Sequence, residues 1–233
     1  MNRNKHIQRW KRWASYLMEL HVESRTSDYN PHLHVSIQRG RLMLSTANAV
    51  YSYEDLYTNF ARTFEQWNWV DFPPQNVLIL GLGLGSITQL LTETHERKCH
   101  YTAVEIDEEV VDLAYQYILE DLDCPLELIV ANAAIAVQQL TPNSYDLLCV
   151  DLFDDDTVPA VFETVDFLRN AQELLTTNGV LLFNRLAHTA ADRAGSDAFF
   201  TEVFQRVFPE ALKLDVGGNY MLVSRGSAVS GEW

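Results

Sequence analysis

The sequence predicts a doubly wound α/β fold, a mostly parallel sheet with helices on both faces, preceded by a small antiparallel β unit. Three observations carry this. Short apolar runs without polar alternation, Val77–Leu80 and Leu147–Val150, read as strands covered on both sides. From residue 77 onward such runs alternate with helix-period segments, the pattern of repeated βα units. Before residue 72 the alternation is missing, and strand-like segments follow one another with turn signals between them.

Taken in order, residues 5–15 present Ile7, Trp10 and Trp13 as a short amphipathic helix. Strands are expected at Leu17–Glu23, His32–Gln38 and Arg41–Ser45, punctuated by Asn30-Pro31 and Arg39-Gly40. Leu56, Phe60 and Phe64 give Tyr53–Trp67 a helical repeat, and Asp71-Phe72-Pro73-Pro74 then breaks the chain. The expected division is 1–72, with helix, small β unit and connecting helix, and 73–233, the main α/β domain. In the second part Val77–Leu80, Tyr101–Val104, Leu126–Val130, Leu147–Val150 and Val180–Phe183 read as strands. Helices are expected at Ser86–Glu93, at Asp107–Ile118 with Val110, Val111, Ala114 and Tyr117 inward, and at Ala133–Leu140. A further helix carries Phe162, Val165, Leu168, Ala171 and Leu175 and ends at Asn178-Gly179; another carries Phe199, Val203, Phe204 and Val207. Leu212–Val216 and Tyr220–Val223, joined through Gly217-Gly218-Asn219, read as a hairpin on the sheet edge.

The chain has 233 residues, enough for one α/β domain and an appendage. It carries 17 basic and 32 acidic residues, a net charge of −15. Such a field repels nucleic acid phosphates and anionic membranes and attracts cations such as polyamines. No apolar stretch approaches the ~20 residues needed to span a bilayer, so the expectation is a cytoplasmic protein. Cys99, Cys124 and Cys149 show neither zinc-ligand spacing nor an even disulfide set; Cys99 and Cys149 sit in apolar runs, as small hydrophobes do. His32 and His34 alternate onto one strand face, where solvated histidines are commoner than metal ligands, and no metal is expected.

Four features carry chemistry. Gly81, Gly83 and Gly85 follow the strand Val77–Leu80 directly, letting the chain turn sharply into a helix and leaving room for a ligand against the backbone. Glu105, at the end of the next strand, can accept hydrogen bonds from both hydroxyls of a ribose, with Ile106 beside it. The third glycine of a dinucleotide fingerprint would fall at Ser86, which weakens a nicotinamide reading. Asn132, after the third strand and before Ala133, can meet an adenine edge, cap the following helix, or both. Asp151 and Asp154, after the fourth strand, face the crevice of such a sheet and can attract a cation and accept its proton. Asp155 and Asp156 fit a solvated acidic loop.

Together these segments resemble the spermidine synthase-like branch of the class I S-adenosylmethionine-dependent methyltransferase fold. The resemblance runs from about Leu33 to Val223 and includes Val104-Glu105-Ile106-Asp107 and Asp151-x-x-Asp154 followed by Pro159-Ala160. It implies a transferase with S-adenosylmethionine or its decarboxylated form as co-substrate and a polyamine or other cationic amine as acceptor. Glu105 would hold the ribose, Asn132 the adenine, and Asp151 would free the amine nucleophile, with Tyr53 and Asp154 orienting it. Family members often pair their appendage strands across a dimer, and Trp10, Trp13, Trp67 and Trp69 could serve such contacts or a local core.

The chain departs from that family at three places. The aspartate that holds the aminopropyl donor's amine is Leu84 here, a glutamine on the appendage strand is Met43, and Tyr-His-Glu is Ser52-Tyr53-Glu54. Losing such a carboxylate costs about 1.5–3 kcal/mol of charge-assisted hydrogen bonding. Transfer of a methyl group from S-adenosylmethionine itself is therefore the second reading, and a non-catalytic nucleoside-binding protein the third.

Overall fold

The computed structural model describes residues 9–47, 49–154 and 157–230. The start of the expected first helix, including Ile7, and Asp155 and Asp156 lie outside the described residues.

The chain begins with α1 (Arg9–Ala14) and a four-stranded antiparallel sheet in the order β1 (Leu20–Arg25), β2 (Leu33–Gln38), β3 (Arg41–Ser45), β4 (Val50–Ser52). A single 3-10 turn, Glu54–Leu56, leads to α2 (Thr58–Glu65). The main sheet then uses β5 (Asn76–Leu80), β6 (His100–Glu105), β7 (Leu126–Val130), β8 (Tyr145–Val150), β9 (Leu175–Leu186), β10 (Leu212–Asp215) and β11 (Asn219–Val223). Their spatial order is β10-β11-β9-β8-β5-β6-β7, parallel from β9 to β7 and antiparallel at the terminal hairpin. The connecting helices are α3 (Ser86–Gln89), α4 (Glu108–Tyr117), α5 (Ala133–Ala136), α6 (Val165–Leu174), α7 (Ala190–Phe199) and α8 (Gln205–Val207).

Alternate residues of each strand enter opposite layers, as the period of two requires. Val77, Ile79, Leu147 and Cys149 pack with Phe60, Phe64, Ile87 and Leu113 on one face. Leu78, Leu80, Leu148 and Val150 pack with Phe167, Leu168, Phe199 and Phe204 on the other. The first layer also contains Leu33, Val35, Ile37 and Leu44 of the small sheet, so both sheets share a core. Burial lifts the Cys149 thiol well above the usual range, in keeping with a packing role. The aromatic surface divides: Trp67 is buried and Trp69 packs against the core, whereas Trp10 and Trp13 are 60% and 82% exposed.

Several boundaries differ from expectation for identifiable reasons. Tyr16 to Met18 are exposed, their backbone bonded back to α1, so β1 starts at Leu20 rather than Leu17. The three-residue β4 is too short for alternation to register. The expected helix Tyr53–Trp67 is interrupted because Glu54 adopts a left-handed φ of 41° and Tyr57 leaves helical geometry. Glu54 is held there by its buried carboxylate, which accepts the Leu42 N–H at 2.7 Å. Phe162 lies in a 3-10 turn ahead of α6 (Val165–Leu174), and Asn178-Gly179 belongs to β9 rather than to a helix cap. A Cβ on Gly179 would lie 2.7 Å from the Tyr145 carbonyl oxygen, where the β8–β9 register shifts. The helices expected at Ser86–Glu93 and around Phe199–Val207 contain wide turns at Leu90–Thr94 and Phe200–Phe204, and Ala133–Leu140 is regular only to Ala136. On α4 the inward residue missing from the expectation is Leu113; Val111 and Tyr117 are half-buried.

No helix among the described residues is long and apolar enough to cross a membrane.

Candidate nucleoside and transfer site

In an open parallel sheet the ligand crevice lies where neighbouring strands send their connections to opposite sides. Here that point is between β5 and β8. Gly81 follows β5, Asp151 follows β8, and their backbones nearly touch. Gly81 has a φ of 91°, and a Cβ there would collide with the Asp151 carbonyl oxygen. Gly83, with a φ of 53°, is approached by the β4 segment: its Cβ would lie 2.8 Å from the Tyr51 carbonyl oxygen. Ser86 fixes the same contact, its hydroxyl meeting Ser52 Oγ at 2.6 Å and accepting the Tyr53 N–H at 3.1 Å.

A cleft of ≈ 800 Å³ opens over this junction. Gly81, Gly83, Glu105, Ile106, Asn132 and Ala133 line one end of it; Asp151, Asp154 and Tyr53 also line it. Glu105 Oε2 accepts the Leu82 N–H at 3.0 Å, and Oε1 accepts the N–H groups of Ile106 and Asp107. Burial pushes the Glu105 carboxyl up, and these three donors oppose that. A carboxylate offers about four acceptor sites, so one remains for a ligand hydroxyl. Asn132 Oδ1 accepts the Ala134 N–H at 2.9 Å and caps α5 while the residue lines the cleft.

The small sheet closes the Glu105 side. Asp107 caps α4 through the Glu109 N–H at 3.1 Å, and its other oxygen accepts Asn30 Nδ2 at 2.9 Å. The loop between β1 and β2 is thereby latched to the main sheet, and Asp28, Tyr29 and Asn30 become cleft walls.

The Asp151 carboxylate is held by more partners than the sequence suggests. Asp151 Oδ2 accepts the Tyr57 hydroxyl at 2.8 Å, and Oδ1 accepts Asn184 Nδ2 at 2.8 Å. Burial raises its pKa to about 6; the two donors pull down, and the Glu105 charge pushes up. The Tyr57 phenol is driven well above its ordinary value, first by burial and then by Asp151, so it stays a donor. Asp154 is exposed, its N–H donating to the Thr157 carbonyl at 2.8 Å.

Three expectations need correction. Leu84 is 1% exposed, packs into the core and does not line the cleft, because its side chain follows the first core layer. Gly85 is likewise outside the lining; its left-handed φ of 89° starts α3, and it faces Leu119 and Thr88. Tyr53 lines the cleft, but its hydroxyl donates to Gln38 Oε1 at 3.0 Å; the tyrosine at Asp151 is Tyr57. Sequence reasoning missed Tyr57, Asn184 and His188, a further lining residue. Tyr57 had a signal in the sequence, as a polar-tipped aromatic placed between Leu56 and Phe60 of the helical repeat.

A family model described as Methyltransferase domain matches residues 73–207. The chain belongs to this family. Its fold is that of the spermidine synthase-like branch: a probable spermidine synthase from Corynebacterium glutamicum superposes with a TM-score of 0.70 at 18% identity, covering 91% of this chain and 81% of that one. In sequence the chain is similar to a probable polyamine aminopropyl transferase of Bifidobacterium longum, 32% identical over 109 residues, 47% of this chain and 24% of that protein. It is also similar to the eEF1A lysine and N-terminal methyltransferase of Xenopus laevis, 27% identical over 159 residues, 64% of this chain and 22% of that protein. The methyltransferase-domain chain thus spans about a quarter of the length of these two relatives.

Proposed function

We propose that this methyltransferase-domain chain is a transferase that binds an S-adenosylmethionine-type nucleoside and delivers an aminopropyl group to a cationic amine. The observation that carries this reading is the Asp151 carboxylate, held by Tyr57 and Asn184 and facing a cleft that also presents Asp28, Glu105 and Asp154. Among the described lining residues there is no lysine or arginine to pair a donor carboxylate. Such a field favours a donor bearing both a sulfonium and an amine over a zwitterion.

The residues fit the parts of that nucleoside. Gly81 and Gly83 present backbone to the cleft, Glu105 offers an acceptor for the ribose hydroxyls, and the Asn132 amide can donate to adenine. Transfer forms a bond from the acceptor nitrogen to the carbon next to sulfur. The carbon–sulfur bond breaks, and its electron pair leaves with the neutral thioether. The nitrogen must shed a proton, and Asp151 accepts it. A base with a pKa of about 6 is ionised at neutral pH and still close to the operating range. Asp154, exposed at the mouth, would hold a second positive charge of the acceptor.

A second reading, methyl transfer from S-adenosylmethionine, is favoured by one observation: Leu84 supplies no carboxylate of the kind that selects the decarboxylated donor. One pair of measurements separates the two. Incubation with decarboxylated S-adenosylmethionine and a panel of diamines and polyamines is expected to release methylthioadenosine; absence of release with every acceptor rejects aminopropyl transfer. Calorimetry showing clearly tighter binding of S-adenosylmethionine than of its decarboxylated form favours methyl transfer.

A further inference from the structure

We infer that Asn219, on the terminal hairpin, is a positioning residue that sets which end of the Asn184 amide faces Asp151. The inference rests on the reading of Asp151 as the proton acceptor. A carboxamide has a donor end and an acceptor end of nearly the same size, so its partners decide its orientation. Asn219 Nδ2 donates to Asn184 Oδ1 at 2.9 Å. That engages the acceptor end, and the amide turns its NH₂ to Asp151 Oδ1 at 2.8 Å. Asn184 is 0% exposed, so solvent does not compete for either end.

The strands make this possible. On β9 and β11, Asn184 lies opposite Met221 and Leu186 opposite Asn219, so the two asparagines are diagonal neighbours on one face. Asn219 follows Gly217-Gly218, both with left-handed φ, which bring the hairpin tip to the cleft.

The polarity matters because of what else surrounds Asp151. Tyr57 donates to its other oxygen from the segment before α2. Glu105 on β6 adds negative charge, and Asp28, Asp154 and His188 line the same cleft. The two hydrogen-bond donors are the counterweight that keeps the carboxylate ionised. With the Asn184 amide reversed, a carbonyl oxygen would face Asp151 and favour its protonated form. Asn219 reaches the base only through Asn184 and so governs proton affinity rather than substrate contact.

The test is Asn219→Leu, nearly the same size but unable to donate, with Asn219→Ala as a second variant should leucine prevent folding. Protein labelled with ¹³C in its aspartate carboxyls is titrated by NMR, the Asp151 signal being assigned by its loss in Asp151→Asn. The Asp151 titration is expected to move up by about one pH unit in either variant. The acid limb of kcat/KM is expected to move with it, while methylthioadenosine affinity changes less than about twofold. An Asp151 titration unmoved in both folded variants overturns the inference. A moved titration in a protein without transfer activity leaves the relay standing and removes the transferase reading instead.

Discussion

The Tyr57 hydroxyl donates to Asp151 Oδ2 at 2.8 Å across 94 residues of sequence, joining the segment after the small sheet to the end of β8. The pair exists because the helical repeat starting at Tyr53 is interrupted at Tyr57, where the backbone turns the ring into the cleft. Its consequences for proton transfer can be measured.

The first concerns pH. The carboxyl of Asp151 is raised to about 6 by burial, and only its ionised form accepts a proton. The value of kcat/KM should therefore climb through pH 6, level off above it, and fall about tenfold per pH unit below it. In Tyr57→Phe one donor to the ionised form is gone, so the limb moves up by about one unit. A pH–rate profile with no inflection between 5 and 7 contradicts the assignment of Asp151.

The second concerns the ribose end. Glu105→Ala removes a ligand acceptor and leaves the Leu82 and Ile106 N–H groups without their partner. Hydrogen bonds to charged groups contribute about 1.5–3 kcal/mol, so methylthioadenosine should bind roughly 10–100-fold more weakly by calorimetry. Unchanged affinity would place the nucleoside elsewhere.

A third prediction contrasts two glycines. Gly81→Ala imposes an unfavourable φ of 91° and a collision with the Asp151 carbonyl oxygen, and should cost about 3 kcal/mol or more in urea unfolding. Gly195 lies inside α7 with nothing within 4 Å of where an alanine methyl would sit, so Gly195→Ala should stabilise by up to about 1 kcal/mol. Equal effects from the two would contradict the backbone account.

The fourth tests the latch between the sheets. Asp107→Ala removes the cap of α4 and the anchor of Asn30 together. A lost cap costs about 1 kcal/mol. Loosening the wall formed by Asp28 to Asn30 should also weaken nucleoside binding, whereas Asp107→Asn, which keeps an acceptor at the cap, should retain more of both. Denaturation and calorimetry on the two variants check this.

The parallel sheet was legible because its central strands β5 and β8 are buried apolar runs, and the edge hairpin because Gly217-Gly218-Asn219 separates two strand-like segments. The gathering of Gly81, Glu105 and Asn132 at one cleft was legible because all three sit at strand ends, where topology fixes which way they face. What escaped depends on tertiary choices. Leu84 joins the core rather than the cleft, a matter of which way one residue of a glycine turn points. Tyr57 outcompetes Tyr53 because Glu54 takes a left-handed backbone to satisfy the Leu42 N–H from a neighbouring strand. Asn184 follows the apolar run Val180–Phe183 in β9, and its orientation depends on Asn219, which comes from another strand.

The close seating of the Tyr51 carbonyl oxygen over Gly83 has a practical corollary for anyone trimming or recombining this protein. The small sheet from Leu20 to Ser52 cannot be treated as a detachable cassette, since it supplies part of the roof and part of the oily filling under it. A shortened version starting near Asn76 would bare the side chains that Leu33, Val35, Ile37 and Leu44 now cover, and should clump rather than bind.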